Sequence, residues 1–175
     1  MPSSPSGPSN PPRPSSTGFK VRTLDGAPCA ASCDKSVIVI WRTPPTVRAL
    51  GELRDLMLEL LVQFPRGVGI LGIVEPGMPL LGSAERKVAA DLLTTYGSQL
   101  LAIATVIEGH GFWAGATQSV MTAISLIARQ PCPMRICSTL DEALVWYTPH
   151  VADPGGQGSS ALLLRQALEA MRTHR

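Results

Sequence analysis

Charge is scarce in this chain, and so are aromatic rings. Of its 175 residues, 16% are Asp, Glu, Lys or Arg and 5% are Phe, Trp or Tyr, and the formal net charge is +2. Nucleic-acid binders usually carry a basic stripe with aromatics interleaved. Here Lys and Arg are scattered, which speaks against that class. Long apolar runs are missing too. The longest, "LLAIATVI" over Leu100–Ile107, falls far short of the roughly 20 residues a membrane helix needs. The opening "MPSSPSGPSNPPRPSSTG" has no apolar centre and no Arg-rich amphipathic pattern. Neither a secretory signal nor a transit peptide is expected, and the chain is expected in the cytoplasm. Cysteines are few. Cys29 and Cys33 stand as C-x3-C, Cys132 and Cys137 as C-x4-C, whereas zinc ribbons prefer tighter knuckles with turn glycines nearby. Structural or free thiols are expected, with no metal and no cofactor. The G-x-S-x-G elbow and the phosphate loop G-x-x-x-x-G-K-[ST] are absent, so no nucleophile or phosphate cradle is marked.

What is present is apolar: 45% of the residues are hydrophobic, enough for a real core. Residues 1–18 are two-thirds Pro and Ser and read as a disordered tail. From Phe19 the pattern changes. "FKVRTL" alternates and suits a strand with one buried face. "GAPCAASCDK" reads as a turn with at most a short strand. "SVIVIWR", "VGILGIV" and "LLAIATVI" are strands buried on both faces, and "MRIC" is a last short one. Between them lie helical patterns. In the first, Leu50, Leu53, Met57, Leu60, Leu61 and Phe64 share a face, with Thr43 as its cap and Pro44 or Pro45 in its first turn. In the second, Ser83 is placed to cap, with Val88, Leu92 and Tyr96 inward. The third turns Val120, Ile124 and Ile127 inward. Thr139 and Glu142 form a capping box for a fourth. After a glycine-rich joint, Leu164, Leu168 and Met171 line a terminal helix that packs on the domain or on a second copy of the chain.

Buried strands alternating with helices require parallel pairing, each helix serving as a crossover. The expected fold is therefore α/β: one open, mostly parallel sheet of four or five strands with flanking helices. The domain spans 19–151, with the joint and terminal helix at 152–175.

In such sheets ligands and catalytic groups gather at the carboxyl ends of the strands. Glu75 ends one buried strand, and Glu108 and His110 follow the next. Three readings of "VIEGHGFWAG" stay open. Glu108 and His110 form an acid–base pair of a small enzyme; they contribute to a small-ligand or lipid site; or Gly109, Gly111 and Gly115 simply turn the chain out of a strand. The spacing G-x-G-x-x-x-G misses the dinucleotide fingerprint by one residue. Phe112 and Trp113, adjacent at the loop–helix junction, suit a protein contact. A carrier for an apolar ligand would require an internal cavity of about 300 Å³ or more.

The order of elements, with the short "MRIC" strand and its "STLDEAL" helix start, resembles a STAS-type domain over about residues 19–148. Such domains form anti-sigma-factor antagonists and the cytoplasmic ends of sulphate transporters. The resemblance implies a non-enzymatic signalling module that binds another protein and is switched by phosphorylation of a Ser or Thr at a helix start. The family's Asp-Ser-x-Gly stretch is replaced here by "EPGMPLLGSAER", in which Ser83 is the nearest matching position. The implied partner surface comprises Glu75, Ser83, Glu108, His110, Phe112 and Trp113. Neither nucleic acid nor membrane insertion is expected, and self-association through the terminal helix is left open.

Overall fold

The computed structural model describes residues 18–25, 29–109, 111–127, 132–152 and 160–173. The Pro/Ser-rich segment before residue 18, most of the joint before the last helix, and His110 lie outside them. The described residues build one sheet of six strands in chain order: β1 (Phe19–Thr23), β2 (Cys29–Cys33), β3 (Ser36–Trp41), β4 (Val68–Val74), β5 (Leu100–Ile107) and β6 (Met134–Cys137). β1, β2 and β3 pair antiparallel, whereas β3 through β6 are parallel. The fold class is α/β, as expected, with one more strand than expected. The extra strand is β2, whose "CAASC" has no alternation and weak strand propensity. Hydrogen bonding on both edges overrides that propensity. Its small side chains let helices approach closely: Cys29, Ala31 and Cys33 face one side of the sheet and Ala30 the other.

The crossovers are α1 (Val47–Gln63), α2 (Ser83–Tyr96) and α3 (Phe112–Ile127). Sequential strands joined by crossovers of one hand must carry their helices on one face, and these three do. In α1, Leu50, Leu53, Met57, Leu60 and Leu61 are buried on the expected stripe. Its start differs from expectation. Thr46, not Thr43, is the N-cap; its Oγ1 accepts from Ala49 N at 3.0 Å, and Pro44 and Pro45 precede the helix. A proline disfavours helical backbone in the residue before it, so the pair pushes the start downstream.

α2 is different. Ala90 is its buried residue, while Val88, Ala89, Leu92, Leu93 and Tyr96 are half-buried. The helix stands off the sheet, leaving between them an apolar cavity of about 120 Å³.

The opposite face is covered by α4 (Leu140–Val151) and α5 (Ala161–Thr173). The expected capping box opens α4: Glu142 N donates to Thr139 Oγ1 at 3.2 Å, and the Glu142 carboxylate accepts from Ser138 N at 3.3 Å. Leu164, Ala167, Leu168 and Met171 of α5 are buried against β1–β3, in the same core as α4. Tyr147 of α4 is fully buried beside Gly69 of β4. A Cβ at Gly69 would collide with the Tyr147 hydroxyl and come within 2.5 Å of Val151 Cγ1. Burial pushes the Tyr147 phenol well above its usual range; Ser36 opposes this, without completing a hydrogen bond of normal geometry to the hydroxyl.

Candidate functional site

The carboxyl ends of β3, β4 and β5 deliver Arg42, Glu75 and Glu108 side by side. The ladder runs one residue past the strands. Glu75 N donates to Trp41 O at 3.0 Å and Glu108 N to Val74 O at 2.9 Å. Strand neighbours therefore bring the two expected carboxylates to one rim, and that rim holds two arginines as well. Arg42 Nε donates to Glu75 Oε1 at 3.3 Å, and its Nη2 donates to the Met171 carbonyl at 3.2 Å, in the last turn of α5. A cation at a helix carboxyl end is favourable. Arg172 Nη2 donates to Glu108 Oε1. The two acids are thus engaged in binding the end of α5 to the rim. Sequence reasoning missed both arginines. Arg42 had a signal, since it directly follows a buried strand just as Glu75 and Glu108 do. Arg172 had none, lying 64 residues from Glu108.

Beyond Glu75 the chain turns at Pro76-Gly77 and runs to α2, with Met78 buried and Leu80 45% exposed. Ser83 is not the cap of α2. Gly82 takes the N-cap position with extended backbone and its carbonyl accepts from Arg86 N at 3.0 Å, which leaves Ser83 as the exposed first helical residue. Gly82 has no side chain with which to cap this end, and Glu85 is the acid of the first turn. The turn after β5 is made by Gly109 (φ 137°) and Gly111 (φ 77°), backbone that other residues rarely adopt. Gly115 lies inside α3 and takes no part in it. Phe112 and Trp113 open α3, and their side chains, like His110, are outside the described residues.

The four cysteines are buried, and none is in a disulfide. Burial pushes the Cys33 thiol up to about 12, helped by the Asp34 carboxylate. Burial also raises Cys29, against the pull of Arg42, and Cys137. Such thiols stay protonated and are weak nucleophiles. Among the described residues no group of three His, Cys, Asp or Glu side chains is placed to hold a metal. No helix among them is long and apolar enough to cross a membrane.

Behind the rim lies the cavity under α2. Its floor is a row across the sheet, Val39, Gly72 and Thr105, in mutual register; Ala89, Leu92 and Leu93 of α2 form its roof. Its 120 Å³ is less than half of the roughly 300 Å³ expected for a carrier of an apolar ligand. Compared with known protein families, curated proteins and solved structures, the chain matches none.

Proposed function

We propose that this chain is a non-enzymatic regulatory module of STAS-like kind, working in the cytoplasm, that docks another protein through the rim at the start of α2. The surface comprises the 75–82 loop, Ser83, and the start of α3 with Phe112 and Trp113. One observation carries the reading: Leu80 and Ser83 are exposed together at a helix N-terminus whose N-cap is a glycine. An exposed leucine beside a modifiable hydroxyl gives a partner both an apolar anchor and a charge switch. A phosphate on Ser83 would add about −1.5 to −2 charges where the helix dipole favours negative charge by about 0.3–1 kcal/mol. The fold would accept the modification, and the partner would feel it. Glu75 and Glu108, engaged by Arg42 and Arg172, shape this rim.

The test is affinity purification of full-length chain from its own cells, with Leu80→Asp, Ser83→Glu and Trp113→Ala variants. Val62→Asp serves as control; Val62 is 84% exposed near the end of α1, at the opposite end of the strands. A partner retained by the native chain and the control, and lost at least tenfold from the Leu80 and Trp113 variants, is the expected outcome. Retention indifferent to all the rim changes removes the surface and the reading with it.

A further inference from the structure

We propose that the space between α2 and the sheet is a binding site for a small uncharged apolar molecule, the size of one aromatic ring or a short alkyl chain. The argument begins with the two glycines of "VGILGIV". Glycine weakens a strand interior and often marks a place where something approaches the backbone closely. At Gly69 that something is the Tyr147 side chain. Gly72 points to the other face, and there no atom comes closer than ordinary van der Waals contact. A Cβ built on it would find its nearest neighbours, Thr105 Oγ1 and Trp41 Nε1, at 3.8 Å. The missing side chain opens directly into the cavity.

The second observation is α2 itself. A crossover helix normally buries its apolar stripe on the sheet beneath. Here Ala89, Leu92 and Leu93 instead roof the cavity and remain half-buried. Protein interiors leave few voids larger than a water molecule, so a helix held away from its sheet is unusual. The lining also defines the ligand. Among the described lining residues the polar side-chain atoms are the hydroxyls of Thr105 and Thr117 and the Trp41 indole nitrogen, and none titrates. Water needs two to four polar partners, whereas an apolar cavity of about 150 Å³ stays dry and takes benzene. The present 120 Å³ is of that order. A charged molecule would lose its hydration with nothing to replace it. Entry is beside Leu80 and Leu81, where the lining meets solvent.

The test uses the purified full chain with benzene and toluene as probes, naphthalene as an oversized probe and benzoate as a charged one. Saturable binding of benzene or toluene is expected, with Trp41 emission shifted and Tm raised by about 3–5 °C at tenfold excess over Kd. Benzoate and naphthalene should give no saturable shift. Gly72→Val, which fills the floor, and Ala89→Met, which fills the roof, should each weaken toluene at least tenfold, with Tm unchanged or raised. Absence of a saturable shift with benzene and toluene, or benzoate binding as well as toluene, overturns the proposal. So does full binding in either folded variant. Partner docking is tested on the exposed rim and not on the cavity, and either reading can fail while the other stands.

Discussion

Two glycines three residues apart in β4 face opposite ways, and the sequence does not distinguish them. Gly69 is filled from α4 and Gly72 opens into a cavity. The strand was legible from its apolar run; the use of each glycine depends on helices far along the chain. Cysteine gives a sharper case. The spacing of the thiols led to an expectation of structural or free cysteines, but how far burial holds their protons was not readable from it. Unfolded, the Cys33 thiol titrates near 9; folded, it holds its proton to about 12. Between those values the folded state binds more protons, so stability is full below pH 9 and declines as pH rises. The slope reaches about 1.4 kcal/mol per pH unit for one such thiol. The raised Tyr147 acts in the same direction at still higher pH. Urea midpoints measured at pH 8, 9.5 and 11 should fall steadily, and less steeply in Cys33→Ala. Equal slopes in the two proteins would mean that this thiol ionises as freely folded as unfolded.

At the scale of the element, ends were harder to read than bodies. The α1 stripe from Leu50 to Leu61 follows directly from helical spacing. Its cap did not, because Thr43 and Thr46 both precede the helix and only the effect of the two prolines decides between them. Thr46 also donates to Asp25 Oδ2 at 3.0 Å, and Asp25 N donates to Glu52 Oε2 at 2.8 Å, tying the end of β1 to α1. In α2 the cap position falls to Gly82, one residue before Ser83. The two helices therefore respond differently to loss of a hydroxyl. Thr46→Ala should cost about 1 kcal/mol of stability. Ser83→Ala should stay within about 0.5 kcal/mol, as for an ordinary surface change. Chemical denaturation of the two variants checks the contrast, and a Ser83→Ala cost matching that of Thr46→Ala would restore Ser83 as a cap.

For the whole molecule, alternation of strand and helix conveyed the class and the parallel half of the sheet. It left open where α5 would go, since its apolar stripe suits any apolar surface and the joint before it gives no direction. The structure sets it over β1–β3, with Arg42 and Arg172 holding its carboxyl end to the rim. The rim was legible as a place, through Glu75 and Glu108, but the partners of those acids were not. A chain ending at Val151 would expose Ala31, Cys33 and Ile38 of the sheet face. It should lose its cooperative thermal transition and associate, while Leu168→Ala in the full chain should cost about 2–5 kcal/mol. Calorimetry with light scattering reads both, and a shortened chain that melts as sharply as the full one would make α5 an ornament of the fold.

The strands lie in the order in which a ribosome releases them. Each new strand finds its neighbour already in place, so assembly can proceed while synthesis continues. The exception is the last helix, which must travel back to the oldest part of the sheet. Until it arrives, a newborn copy displays an uncovered greasy flank, and that interval is when chaperones have most reason to hold it.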